Sequence, residues 1–377
     1  MLSRSQNTTQ GENTMSNAKG PTRRHVLQAG AAIGGATLAG RTVWAQAKAP
    51  PTKVLDFQTY ADMAKAEQEG QFVFYCHENE AGTAAIVDAF TKDFPKIQGS
   101  YVRAQTGALY SKVLAERSAG RYDVDVIQLS DLAPAIDFQK KGGYEIYQSP
   151  EAHAYQAKYL SDPPGAYFWT GVDFTGICYC KSRVPDADAP KNWKDLLDPR
   201  WRGAMSCKIA SSGLQFVQWY ELRKLYGDSY WTSFAKQLPH AFDSRVQLMD
   251  RLARGDDKVT AVGEYAAYVL YQKKGADIGF VAPPDGLPAT PLVVGAVNRA
   301  PHPETAKLFV DWAMSLRGQK FYQDNLNLIY ASIRDDAPPM LTGARLSEFK
   351  LLAPTDLNDY VASHDEFNKV WSAMLGL

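Results

Sequence analysis

The sequence has no surplus of either charge: 41 Lys+Arg stand against 41 Asp+Glu in 377 residues. That balance argues against a nucleic-acid binder, which needs excess cations to displace counterions from phosphates. It argues equally against an acidic disordered chain. Cysteine is scarce, with four residues, and histidine with six. A chain of this length is expected to form two domains, each able to bury a core without metal or disulfide staples. Beyond residue 47 no apolar run reaches the length of a membrane span. Repeats of 20 to 50 residues and low-complexity tracts are also missing, which removes solenoids and propellers.

What is present starts near the N-terminus. Thr22, Arg23, Arg24, His25, Val26, Leu27 and Gln28 precede a small-residue apolar run from Ala29 to Gly40, and Ala45, Gln46 and Ala47 offer a small-x-small cleavage site. The run is too short and too rich in Gly and Ala to stay in a bilayer. The segment resembles a twin-arginine export signal, with Gln28 in the place of the usual Lys and with Met15 as an alternative start. Its removal takes five positive charges and one negative, leaving 36 against 40 and a net of −4. A mildly acidic, periplasmic protein is therefore expected. An oxidising compartment opens three readings of Cys76, Cys178, Cys180 and Cys207: buried free thiols, a disulfide, or a metal site. Cys178 and Cys180 share a face if they lie on a strand, and one of them then pairs with Cys207 if that residue lies on a neighbouring strand.

Along the mature chain strand patterns alternate with helical ones. Gln71 to Cys76 reads as a strand, 83–90 as a helix, 99–104 as a strand, 109–119 as a helix and 124–129 as a buried strand, the pattern of a parallel sheet covered by helices. A strand-like run at 171–182 follows, then a short helix at 193–201 stopped near Pro199 and a strand at 202–209. Ser211, Ser212 and Gly213 introduce a helix at 214–226, and Asp243, Ser244 and Arg245 mark another helix start. Val259 to Val262 is a strand leading to Gly263, Glu264 and Tyr265. Helical regions close the chain at 303–315, 318–325 and 356–375. The long extended passages at 171–182 and 278–298 are candidates for strands that cross between two lobes with a cleft between them.

Several segments carry a resemblance: Gln68 to Tyr75, Asn192 to Gly203 (NWKDLLDPRWRG), the Ser211-Ser212-Gly213 turn, Ala300 to Gln319 (APHPETAKLFVDWAMSLRGQ) and Asp359 to Trp371. In order and spacing they resemble the extracellular solute-binding proteins of ATP-binding-cassette importers, in the branch that includes the ferric-iron-binding proteins. The resemblance implies an α/β fold, a two-lobed type II periplasmic binding protein with two crossing strands and an interlobe ligand cleft. It places lobe one at 52–175 plus 282–340 and lobe two at 176–281 plus 341–377. It also implies a small-molecule ligand, a membrane permease and ATPase as partners, a monomer, no cofactor and no nucleic acid.

Helix N-termini suit anions because their first N–H groups are unpaired. Three occur here: Thr106-Gly107-Ala108, Ser211-Ser212-Gly213-Leu214 and Asp243-Ser244-Arg245. The second resembles an anion-binding turn of the family, which carries over to Ser212, Gly213 and Leu214; for Ser212 and Ser244 plain helix capping is the alternative. Ferric iron is held in the family by two adjacent tyrosines with a carboxylate and sometimes a histidine. Here Tyr265 is followed by Ala266, Asp131 falls at the carboxylate position, and Asn79 stands nearest the histidine position, with His77 two residues earlier. If iron binds, Tyr265 and Asp131 are its ligands. That set is short, so a phosphonate or a phosphorylated or carboxylated organic compound is the favoured ligand, with Glu264 and Asp131 available to an amine. An exported hydrolase is the rival class. It lacks support, because Gly-x-Ser-x-Gly and His-Glu-x-x-His are absent, and His77-Glu78-Asn79-Glu80 has no second histidine.

Overall fold

The computed structural model describes residues 50–210, 212–341 and 343–376. The twin-arginine segment, its cleavage site and Ser211 lie outside the described residues. Among the described residues no helix is long and apolar enough to cross a membrane.

A hairpin of β1 (Thr52–Val54) and β2 (Phe57–Thr59) precedes α1 (Met63–Glu69). Alternation then sets in through β3 (Gln71–Cys76), α2 (Glu80–Asp93), β4 (Gln98–Arg103), α3 (Thr106–Ser118), β5 (Val126–Leu129) and α4 (Leu132–Lys140). Strand β3 pairs in parallel with both β4 and β5. Its inward residues Phe72 and Phe74 pack on Phe90 of α2 and on Phe309, with the Phe72 and Phe309 ring centroids 4.6 Å apart. Burying each such ring stabilises the fold by about 1.5–3 kcal/mol.

The long strand β6 (Phe168–Cys180) follows. A second alternating set contains β7 (Met205–Lys208), α5 (Gly213–Tyr226), α6 (Asp228–Ala235), β8 (His240–Phe242), α7 (Arg245–Arg254), β9 (Val259–Glu264) and α8 (Tyr265–Lys273). Here β7 pairs in parallel with β8 and β9. The chain continues through β10 (Ile278–Val281), β11 (Leu287–Ala296), α9 (Pro303–Met314), α10 (Leu316–Asp324), β12 (Leu351–Leu352), α11 (Leu357–Ala362) and α12 (His364–Leu375).

The strand order β4-β3-β5-β11-β6-β9-β7-β8 makes β6 and β11 the centre of one mixed sheet between two parallel sets. Strand β6 pairs with β11 through Phe168–Phe174 and with β9 from Thr175 onward, so it passes from one set to the other. The extended passage expected at 278–298 is two strands: β10 pairs with β6 and β11 pairs with both β5 and β6. Pro283, Pro284 and Gly286 break it. Gly286 has a φ of 121°, which L side chains rarely adopt, and an added Cβ would lie 2.8 Å from Leu352.

The C-terminal helices lock onto the second set. Phe367 and Trp371 of α12 are fully buried, and Trp371 donates to the Lys208 carbonyl at 2.9 Å. Tyr360 of α11 stacks on Phe216 of α5 at 4.4 Å. All four cysteines are free and buried. Strand β9 lies between β6 and β7, so Cys178 and Cys180 are not on a strand adjacent to that of Cys207. They also face a separate small core with Met249, Leu252 and Tyr271. Burial pushes the Cys76 thiol up to about 12, which keeps it protonated.

Candidate functional site

In both parallel sets the strand carboxyl ends and the helix N-termini that follow them point toward one cleft, as open α/β sheets place their ligand sites. From the first set come His77, Glu78 and Asn79 after β3, Arg103 at the end of β4 and Gln105 after it, and Ser130 after β5. The second set contributes Lys208 from β7, Ser212, Gly213 and Leu214 at the start of α5, Asp243, Ser244 and Arg245 at the start of α7, and Glu264 from β9. Asp173 enters from the middle of β6. These residues line a cavity of about 100 Å³.

The helix ends are prepared by local chemistry. Asn79 accepts from the Gly82 N–H at 2.9 Å, Ser212 from Gln215 N–H at 3.4 Å, and Ser244 forms a capping box with Gln247. Each cap satisfies one N–H of its first turn, and of the first-turn residues Gly213 and Leu214 of α5 and Arg245 and Val246 of α7 line the cleft. Gly213 stands where the two sides meet: a Cβ there would lie 2.7 Å from the Ser130 carbonyl oxygen, so only glycine permits this approach.

The charges form one network across the cleft. Arg245 donates from Nη2 to Glu78 Oε2 at 3.1 Å and lies 3.4 Å from Glu264 Oε2 through Nη1. Lys208 pairs with Glu264 Oε1. Tyr330 donates to Glu78 Oε1 at 2.9 Å, and Arg103 Nε donates to the Glu78 carbonyl at 2.7 Å. Burial works to raise the Glu78 carboxyl, but the Arg245 charge and the bonds from His77 and Tyr330 outweigh it and hold it well below the usual carboxylate range. Burial likewise opposes the Arg245 charge, yet Glu78, Glu264 and Asp173 keep it raised and fully charged. Asp173 behaves in the opposite sense. Burial, followed by the Glu264 and Glu78 charges, pushes its carboxyl up to about 8, which favours the protonated form at neutral pH.

Beside the cleft lies a larger chamber of about 690 Å³ between the starts of α3 and α4 and the C-terminal helices. Thr106 and Asp131 line this chamber and not the cleft. Thr106 Oγ1 sits 3.0 Å from Ser130 Oγ and accepts from the Ser130 N–H. Asp131 caps α4 through the Ala133 N–H at 2.9 Å, accepts from Tyr360 at 3.4 Å and faces His364 at 3.8 Å. Burial raises its carboxyl.

Of the residues expected from sequence, Asn79, Ser212, Gly213, Leu214, Ser244 and Glu264 meet in the cleft. Tyr265 does not. It is buried, its ring stacked on Phe174 at 4.9 Å with Phe280 and Phe349 beside it, because the first turn of α8 folds onto that aromatic patch. Tyr265 and Asp131, the pair named for iron, are therefore not brought into one cavity. Among the described residues no group of three or more His, Cys, Asp and Glu is arranged to hold a metal ion. Sequence reading missed Glu78, Arg103, Asp173 and Lys208 as site residues and read Arg245 only as a helix start. The available signal was a charged residue closing an apolar strand, as Lys208 does in MSCK, just before a helix cap.

Comparisons with known proteins agree with this architecture. Residues 134–348 match the family model of bacterial extracellular solute-binding proteins. An uncharacterised protein of Haemophilus influenzae is 26% identical over 292 residues, covering 72% of this chain and 82% of that protein. An Fe(3+)-binding periplasmic protein of Serratia marcescens is 23% identical over 292 residues, covering 72% of this chain and 81% of that protein. The structure of the periplasmic binding protein AfuA from Actinobacillus pleuropneumoniae, with fructose-6-phosphate bound, superposes with a TM-score of 0.73 at 21% identity, covering 82% of this chain and 99% of that one. With two α/β lobes joined by crossing strands over a polar cleft, the chain belongs to the bacterial extracellular solute-binding proteins and serves as the solute-binding component of an ATP-binding-cassette importer.

Proposed function

We propose that the protein captures a small organic anion, a phosphate, phosphonate or carboxylate, in the cleft lined by Ser212, Gly213, Leu214, Ser244, Lys208 and Arg245. The observation that carries this reading is the convergence of the N-termini of α5 and α7 with Lys208 and Arg245 on one cavity. Helix-end N–H groups and two cations provide the donors an oxyanion needs. Protonated Asp173 adds a further donor, and Glu264 accepts from a hydroxyl or an amine on the same ligand.

Asn79 stands at the rim with its side chain committed to the α2 cap. Lobe one comprises 52–175 plus 282–340 and lobe two 176–281 plus 341–377, with the hinge in β6 where it exchanges β11 for β9. The protein leaves the cytoplasm by the twin-arginine route, loses residues 1–47, and works as a periplasmic monomer that delivers its ligand unchanged to the permease. Ferric iron is the weaker cargo: Tyr265 lies in the aromatic core, and the cleft carboxylates Glu78 and Glu264 are engaged by Arg245 and Lys208.

The test is thermal unfolding of the mature protein with phosphonates, phosphorylated sugars, dicarboxylates, amines and ferric salts. A ligand bound only by the folded form raises the melting temperature, by about 2.7 kcal/mol of stability at a hundredfold excess over Kd. The reading predicts a rise with an organic anion, unchanged in composition after incubation. A rise with ferric salt alone, or turnover of the ligand, would contradict it.

A further inference from the structure

A further hollow lies away from the cleft. It has a volume of about 430 Å³ and shares no lining residue with the cleft cavity. That volume falls within the roughly 300–1,000 Å³ of small-molecule sites. Its walls come from the single turn Ala157–Tyr159, from the chain after α10 between Ser332 and Met340, and from the approach to β12 at 345–351.

Two aromatic rings on these walls are held from behind by β6. Tyr159 packs on Trp169 with ring centroids 5.3 Å apart, and Phe349 packs on Phe174 at 5.1 Å and on Tyr265 at 5.7 Å. Ile333, Met340 and Leu351 add apolar surface. Rings already fixed in this way offer contact area with little further ordering cost.

The charges of the hollow are unbalanced. Arg334 reaches it, but this buried guanidinium is taken by Glu151 at 2.8 Å and by Asp336 at 2.6 Å. Lys158 and Arg345 have no carboxylate partner among the described residues, and the Lys158 ammonium lies 4.8 Å from the centre of the Tyr159 ring. The acidic residue on the lining is Asp335, which accepts from Gln156 Nε2 at 3.2 Å. Two cations with no internal carboxylate, beside two braced rings, match a carboxylate carried on an aromatic body.

We propose that this hollow is a second small-molecule site, for an aromatic carboxylate, separate from the cleft that captures the transported solute. Lys158 and Arg345 receive the carboxylate, and Tyr159 and Phe349 receive the ring. A neutral aromatic amide lacks the charge, and acetate lacks the ring, so each forfeits one half of the recognition.

The experiment is a calorimetric titration of the mature protein with benzoate, 4-hydroxybenzoate and indole-3-acetate, with benzamide and acetate as the probes that lack charge or ring. It is run on the wild type, on the double variant Lys158→Ala with Arg345→Ala, and on Arg245→Gln in the cleft. Both alanine replacements fall on exposed side chains, so the double variant keeps its fold. The proposal expects at least one aromatic acid to bind one-to-one with a Kd of about 1 mM or tighter, and benzamide and acetate to bind at least about tenfold more weakly. It expects the double variant to lose at least about tenfold in affinity for that acid, while Arg245→Gln stays within about twofold of the wild type. Absence of binding by all three acids, equal affinity for benzoate and benzamide, or an affinity that survives the double replacement would overturn the proposal. So would a loss in Arg245→Gln, which would put the acid in the cleft.

Discussion

The two walls of the cleft are built from the same parts, parallel strand ends followed by capped helices, yet they carry different electrostatics. The wall formed by β7, α5, α7 and β9 brings Lys208 and Arg245 with two helix N-termini, and its buried carboxylate Glu264 is contacted by both cations. The wall formed by β3, β4 and β5 brings Glu78, which takes Arg245 across the gap and is also held by Tyr330. One wall is therefore prepared for an anion, while the other supplies an internal carboxylate that pairs with the same arginine. Glu78 and an incoming oxyanion compete for Arg245, and the lobe-to-lobe ion pair is one the ligand must rearrange.

The largest expected effect comes from removing the shared cation. Arg245→Gln should lower affinity for a bound organic anion by roughly a hundredfold, about 3 kcal/mol, since truncating one partner of a desolvated charge pair costs 2–5 kcal/mol. Calorimetric titration reads the change. Glu78→Gln should act with the opposite sign. With Arg245 released from its internal partner, affinity should rise by about three- to tenfold, or about 0.7–1.4 kcal/mol. A fall would mean that Glu78 binds the ligand itself and does not compete with it.

Asp173→Asn addresses the donor at the hinge through stability. A carboxyl whose pKa is raised in the fold gives no difference at acid pH, where folded and unfolded chains are both protonated. Between the ordinary carboxylate range and about 8 only the unfolded chain releases the proton, so wild-type stability falls as pH rises through this window and the full loss stands above it. The Asn variant should therefore melt with the wild type near pH 4 and about 2–4 °C higher above pH 8, by calorimetric scanning at each pH. Tyr265→Phe should have the smallest effect, leaving anion affinity within about twofold, because its ring lies against Phe174 and Phe349 and not on the cleft.

Much of the fold was legible because its strands are short apolar runs and its helices start on caps. QFVFYC and VTAVGE became β3 and β9, and Ser212 and Ser244 became N-caps of α5 and α7. The site was legible only as helix ends. Which charged residues face one another depends on strand order, and nothing local in MSCK shows that Lys208 will meet Glu264 across the β7–β9 pair. The same order, with β9 between β6 and β7, defeats the disulfide between Cys207 and the Cys178–Cys180 pair. Asp173 looked like one polar residue in a strand; its meaning comes from Glu78 and Glu264, distant in sequence and brought beside it by the crossing of β6. Tyr265 was chosen by resemblance, and the aromatic patch that claims its ring is assembled from Phe174, Phe280 and Phe349, three separate segments.

The account stands most directly on a paired calorimetric titration of the mature wild type and Arg245→Gln with organic phosphates, phosphonates and dicarboxylates. It predicts one-to-one binding of at least one of these anions to the wild type and a loss of roughly two orders of magnitude in the variant. Binding of the anion with equal affinity by both proteins, or binding of ferric ion and of no organic anion, would contradict it.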